Sequence, residues 1–404
     1  MKYTFPENFL WGAATSSYQV EGGVHNDWTQ WEQSPQRLRD IEKDKFLKKY
    51  PKENYISGQA ADHYNRFEED FALAKELGHN AMRFSIEWSR IEPEEGYFSK
   101  KGLKHYKKVL ETLKKQEIEP FVTLWHWTLP IWLAEKGGWQ NKETIEHFAR
   151  YCEKVVESFG ENVRFWITLN EPEIYAGMAY LAGTWPPQKR SPITYLTVLH
   201  NLAKGHKRAY EVIRETNKNI QVGIAKNNFY FEAYENRLIN HIPKKIADWW
   251  WNDYFLKQIK DHQDFIGLNH YFHMQFKKGL PSNENKKTSD LRWELHPGSI
   301  FHTLEGLRKY KKPVYITENG LADARDEKRA WFICETVKNM HKAIERGVDL
   351  RGYLHWSLLD NFEWDKGFWP RFGLIEVDRQ TQKRTVRSSA KFYGEICKRN
   401  GIDE

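Results

Sequence analysis

The chain has 404 residues, with 62 Lys and Arg against 55 Asp and Glu, a formal net charge of +7. With 40% apolar and 29% charged residues it can bury a sizeable core, and 25 Gly and 15 Pro exclude collagen-like or linker-dominated chain. No apolar run reaches about 18 residues, so nothing reads as a membrane span, and neither a membrane nor a nucleic acid is expected as partner. Three widely spaced cysteines, Cys152, Cys334 and Cys397, form no CxxC pair and read as reduced thiols. The opening Met1–Phe9 lacks the apolar core of a signal peptide, so the expected compartment is the cytoplasm.

Length alone allows two or three domains at about 150 residues each. The element pattern points elsewhere. A first strand is predicted over Leu10–Ser16, then a helix over Ala61–Leu77 that Gly78 stops. The charged run Asp40–Lys52 between them reads as a solvated surface segment. Strand Asn80–Ile86 and helix Lys100–Gln116 follow, then Pro120–Trp125 with Lys142–Phe159, and Val163–Leu169 with Ile193–Thr216. Next come Gln221–Ala225 with Ile246–Ile259, Asp264–Asn269 with Ile300–Lys309, Pro313–Thr317 with Glu327–Arg346, and Arg351–Trp356 with Ser388–Arg399. Ser282–Asp290 reads as a surface loop. Eight β–α units predict an α/β fold, one (β/α)8 TIM barrel spanning 1–404 as a single catalytic domain.

Polar residues collect where these strands finish: Arg83, His126, Asn170 and Glu171, Asn227, Asn269 and Tyr271, Glu318, and Trp356. In such a barrel the strand ends meet on one face, where active sites sit. Strand ends can be polar merely because they reach solvent, but that explains one or two of these residues, not the recurrence of Arg, His, Asn and Glu. Glu171 follows the fourth strand and Glu318 the seventh. Two acids across a barrel mouth suit hydrolysis of a glycosidic bond, one donating a proton and the other stabilising or attacking the oxocarbenium-like carbon. Either acid alone would more often be a salt-bridged surface group; the pair at one mouth is the signal. A lone His126 would more often be a core histidine, but Trp125-His126-Trp127 at a strand end reads as a site. Aromatic content points the same way. Trp 18, Tyr 20 and Phe 23 make up 15% of the chain, and many Trp stand beside His, Asn and Glu, which suits a ligand with C–H faces and a polar rim, such as a sugar.

The sequence resembles glycoside hydrolase family 1, the retaining β-glycosidases, over nearly its whole length. The resemblance rests on Phe9–Gly22, Met82–Ile91, Leu124–Trp127, Leu169–Pro172, Ile316–Gly320 and His355–Trp364, in that order. It implies Glu171 as acid/base and Glu318 as nucleophile, with Arg83 and Tyr271 holding Glu318 ionised. Asn269 would lie near the acid/base and join the residues that support the nucleophile. Asn170 would bond the sugar 2-hydroxyl, and Gln19, His126 and Glu363 the other hydroxyls. Trp356 would floor the pocket, Trp364 would add an indole N–H, and Phe372 joins the substrate-binding set. No HExxH, P-loop or GxGxxG occurs, and His270 and His273 lack a third ligand at suitable spacing, so no metal or cofactor is expected.

The chain is shorter than most of that family. Only Lys257–Gln263 separates the fifth helix from the sixth strand, where a longer lid is usual, so an open leaving-group site is expected. Trp249-Trp250-Trp251 is expected to pack, with at least one indole at the mouth. The implied activity is exo-hydrolysis of terminal non-reducing β-D-glucosyl residues of a small β-glycoside or oligosaccharide, β-glucosidase-type, with galactosyl or fucosyl residues also accepted. Glu363 would repel a 6-phosphosugar. A mainly transglycosylating enzyme, a non-catalytic glycan-binding barrel and a cofactor-binding barrel are the competing readings.

Overall fold

The computed structural model describes residues 2–403. Eight parallel strands close into a barrel in sequence order, which is the expected TIM barrel. They are β1 (Leu10–Ala14), β2 (Ala81–Ser85), β3 (Glu119–Trp125), β4 (Phe165–Asn170), β5 (Gln221–Asn227), β6 (Phe265–Asn269), β7 (Val314–Asn319) and β8 (Leu350–Trp356). Buried on both faces, they read as near-continuous apolar runs rather than alternating ones. Phe121 of β3 and Phe165 of β4 stack inside the barrel with ring centroids 4.3 Å apart, and Phe265 and Tyr315 close the same layer. The interior is therefore a packed core; truncating such a Phe to Ala costs about 3–5 kcal/mol. Gly12 lets β1 and β2 close up, since a Cβ there would lie 1.8 Å from the Ala81 carbonyl oxygen.

Amphipathic helices wrap the barrel. The first four, α1 (His63–Glu76), α2 (Lys100–Lys115), α3 (Thr144–Phe159) and α4 (Pro192–Thr216), fall within two residues of expectation. Local chemistry sets their ends. The Ser99 and Ser191 hydroxyls accept the Gly102 and Thr194 N–H groups, Pro192 fills the first turn of α4, and Gly78 at φ +80° follows α1. The fifth unit differs from expectation: α5 (Leu238–Ala247), a π-helical turn (Asp248–Asp253) and α6 (Tyr254–Ile259) run on from one another. Helices α7 (Ser299–Leu307), α8 (Arg329–Glu345) and α9 (Ser388–Arg399) complete the ring.

Beyond the C-terminal ends of β5 and β6, Tyr230–Ala233 pairs with His273–Lys277, which pairs with Leu280–Pro281. This three-stranded sheet was not legible as strands. The short connection 260–264 lies elsewhere. The Asp264 N–H donates to Val222 O, near the start of β5, and His262 O is bonded by His206. A helix-to-strand connection returns to the N-terminal face of the barrel, so the shortness of 257–263 does not itself open the leaving-group site as the sequence suggested. No helix among the described residues is long and apolar enough to cross a membrane.

Candidate active site

All the candidate residues come together at the C-terminal face. A cavity of about 280 Å³ is lined by Gln19, His126, Glu171, Tyr271, Glu318, Trp356, Glu363, Trp364 and Phe372. Two roomier grooves, of about 740 and 610 Å³, reach neither Glu171 nor Glu318.

Glu318 ends β7. Arg83, wholly buried at the centre of β2 rather than at the strand end the sequence suggested, reaches its Oε1 through Nη1, and the Tyr271 hydroxyl donates to its Oε2 at 2.9 Å. The rest of the guanidinium is spoken for: Nε donates to Thr123 Oγ1 at 3.0 Å and Nη2 to Asn170 Oδ1 at 2.7 Å. Arg83 is therefore fixed by packing and by hydrogen bonds on three sides. Burial pushes the Glu318 carboxyl up, and the Arg83 charge, the Tyr271 hydroxyl and the Asn269 amide pull it back toward the ionised form. The same burial and the two nearby carboxylates keep Tyr271 a neutral donor.

Glu171 follows β4 at φ 42°, a left-handed backbone that a non-glycine residue adopts only where surrounding contacts hold it. Two amides donate to its Oε1: Asn227 Nδ2 at 3.0 Å and Asn269 Nδ2 at 2.7 Å. Burial, reinforced by the negative charge of Glu318, pushes its carboxyl up to about 8 in spite of those amides. Asn269 thus touches Glu171 directly, and it also bonds Asn170 Oδ1 at 3.0 Å. Its own Oδ1 accepts the Thr317 hydroxyl at 2.7 Å, which fixes the amide orientation. Asn227 had been noted only as a polar strand end; its contact with Glu171 depends on a register between β5 and β6 that no motif announces.

The other side of the cavity is a polar rim on aromatic walls. Asn170 Nδ2 meets His126 Nε2 at 3.0 Å, so Nε2 accepts and the proton sits on Nδ1, which has no partner among the described residues. Burial and the Arg83 charge keep this imidazole neutral. Gln19 Nε2 donates to Glu363 Oε2 at 3.3 Å and to Asn361 Oδ1 at 3.0 Å, and its own Oε1 accepts the Ser16 hydroxyl at 2.7 Å. Burial and the charges of Glu318 and Asp365 push the Glu363 carboxyl up to about 8. Trp356 and Trp364 flank His126 in stacked geometry, with centroids 6.0 and 5.8 Å away. Toward solvent the wall turns apolar, through Ile174, Met178, Phe272, Leu291 and Trp293, none of which had been singled out. Single apolar residues on loops and short helical turns carry no signal in a sequence until a fold gathers them.

Comparison with known proteins identifies the family of the chain. The family described as "Glycosyl hydrolase family 1" matches residues 1–256 and 229–402. Beta-glucosidase A of Thermotoga maritima is 36% identical over 454 aligned residues, covering 99% of each chain. That alignment is longer than this chain, so the relative holds residues without a counterpart here. Among solved structures, the beta-glycosidase from Pyrococcus horikoshii superposes with a TM-score of 0.90 at 36% identity, covering 100% of this chain and 97% of that one. The beta-glucosidase from Thermotoga maritima in complex with glucoimidazole also gives 0.90, at 34% identity over 99% and 100% of the two chains. The chain belongs to glycosyl hydrolase family 1 and is a glycoside hydrolase.

Proposed function

We infer that this glycoside hydrolase is a β-glycosidase that removes terminal non-reducing β-D-glucosyl residues, and β-galactosyl or β-fucosyl residues as well, with retention. The observation that carries the reading is the unequal environment of two carboxyls in one cavity. Arg83 and Tyr271 hold Glu318 toward the anion, while burial and the neighbouring charge hold the proton on Glu171.

In the first step Glu171 donates its proton to the glycosidic oxygen. The Glu318 carboxylate attacks the anomeric carbon, the bond to the aglycone breaks, and an alcohol leaves. A glycosyl ester on Glu318 remains. In the second step Glu171, now a carboxylate, takes a proton from water. The resulting oxygen nucleophile attacks the same carbon, the ester bond breaks, and Glu318 returns as the anion. Asn170 is assigned to the sugar 2-hydroxyl. The unpartnered Nδ1–H of His126, the Gln19 amide and the Glu363 carboxyl supply donors and acceptors for the remaining hydroxyls, with Trp364 beside them. Trp356 and Phe372 supply apolar walls for the ring.

A panel of p-nitrophenyl β-glucoside, β-galactoside, β-fucoside and β-mannoside, run on wild type and Glu318→Gln, tests the reading. Turnover by wild type alone, with glucoside among the best substrates, supports it; equal turnover by the variant overturns it. The apolar outer wall favours organic acceptors over water, which also supports transglycosylation as a second outcome of the same intermediate. Product analysis at high acceptor concentration separates the two.

A further inference from the structure

One helix of the molecule faces the wrong way for a water-soluble surface. Along α5, Leu238, Ile242 and Ile246 recur every four residues and stand 79%, 57% and 61% exposed. Ile239 lies beside them, and Trp249 on the following turn is 47% exposed. The only buried residue of α5 is Asn240, whose amide reaches Tyr234 O and whose Oδ1 accepts the Gly279 N–H at 3.1 Å. Polar anchoring, not apolar burial, holds the helix, and its apolar stripe points outward. Leu280 extends the stripe: a Cβ on Gly279 would sit 3.4 Å from Ile239, which puts the Lys277–Leu280 turn against α5. Scattered exposed apolar residues need no explanation, but a contiguous stripe marks an interaction surface.

The charges around the stripe are one-sided. Helix α5 carries Lys244 and Lys245 and no acid, and the neighbouring turn carries Lys277 and Lys278. The nearby acids are neutralised: Glu235 pairs with Arg237 at 2.8 Å and Asp248 with Lys244 at 2.6 Å. Lys245 and Lys278 are exposed without a carboxylate partner among the described residues. The surface also belongs to the face that opens the cavity. Phe272 of the cavity wall packs on Phe229 at 4.7 Å, and Phe229 on Trp251 at 5.0 Å, next to the exposed Trp249.

We propose that this face docks on an anionic lipid bilayer. Leu238, Ile242, Ile246, Trp249 and Leu280 enter the boundary between headgroups and acyl chains, and Lys245 and Lys278 meet the phosphates. An amphipathic helix with an aliphatic stripe, flanking lysines and an indole at its edge has the composition of an interfacial helix. A second copy fits less well, because a two-fold contact would set the same cations against one another.

The test is co-sedimentation of the full chain with phosphatidylcholine vesicles, with and without about one third phosphatidylglycerol. Light scattering on the free protein runs alongside. Wild type should bind the anionic vesicles at least tenfold more tightly than the zwitterionic ones, and added salt should weaken binding. Ile242→Ser/Ile246→Ser and Lys245→Glu/Lys278→Glu should each lose at least tenfold, with unchanged melting and unchanged turnover of soluble aryl glucoside. Wild type that stays in the supernatant with both vesicle types overturns the proposal, as does unaltered binding by both double variants. A wild-type dimer that Ile242→Ser/Ile246→Ser splits, with no vesicle binding, assigns the face to a second copy and overturns it equally.

Discussion

Removing the Asn227 amide should move the basic limb of the pH profile upward. Asn227 Nδ2 donates to Glu171 Oε1 at 3.0 Å, and that bond favours the ionised carboxyl. A hydrogen bond to a charged group contributes about 1.5–3 kcal/mol and one to a neutral group about 0.5–1.5 kcal/mol, a difference of about 1 kcal/mol. At 1.36 kcal/mol per pKa unit, Asn227→Ala should raise the Glu171 pKa by about 0.7–1 unit. Glu171 must be protonated to act as the acid, so activity is lost as pH rises through its pKa of about 8. The assay is kcat/KM for an alkyl β-glucoside, whose poor leaving group requires protonation, measured across about pH 4 to 10 in wild type and Asn227→Ala. Wild type should show a basic limb near the Glu171 value of about 8, and the variant one displaced upward with its acid limb in place. A basic limb in the ordinary carboxyl range, or one that moves down in the variant, would refute the reasoning. A matching melting curve excludes misfolding as the cause.

Other expectations follow from the same geometry. Glu171 has a higher pKa folded than unfolded, so the stability it leaves intact below its ordinary 4.5 is lost as pH rises toward about 8. Glu171→Gln should therefore stabilise the fold at pH 7 by up to about 3 kcal/mol, about 3 °C in Tm, with no gain near pH 4 by calorimetry. Arg83→Met leaves Glu318 buried without its cation. Urea unfolding should show a loss of about 3–5 kcal/mol, and kcat/KM should fall about a thousandfold with the acid limb moved upward. Lys226 and Glu173 form a buried pair at 3.1 Å beside Asn227 and Glu171. Lys226→Met alone should cost about 3–5 kcal/mol, and Lys226→Met/Glu173→Leu should recover most of it by the same measurement.

The barrel was legible because its strands are short apolar runs with polar residues at or near most of their C-terminal ends, such as His126, Asn170, Asn227, Asn269 and Glu318. The candidate cavity was legible for the same reason, since the C-terminal strand ends of a closed barrel can meet in only one place. Periodicity gave out at the fifth unit. Helix α5 repeats apolar residues at helical spacing, but spacing does not say which way a stripe faces, and here it faces water. Trp249, expected to pack or to stand at the mouth, is half exposed on the same surface. An interfacial helix leaves no long apolar run, so the lack of a spanning segment does not bear on the outward stripe of α5. The short 257–263 segment was set at the wrong end because its length, not its direction, was read. Asn227 and the apolar outer wall depend on register and loop packing, which a single sequence does not encode locally.

The most direct test is to trap the intermediate. Wild type incubated with 2,4-dinitrophenyl 2-deoxy-2-fluoro-β-glucoside should release one equivalent of dinitrophenol and gain the mass of one fluoroglucosyl group. Peptide mapping should place that group on Glu318. A label on Glu171, or free α-glucose as the first product of a β-glucoside with no adduct on the protein, would contradict the account.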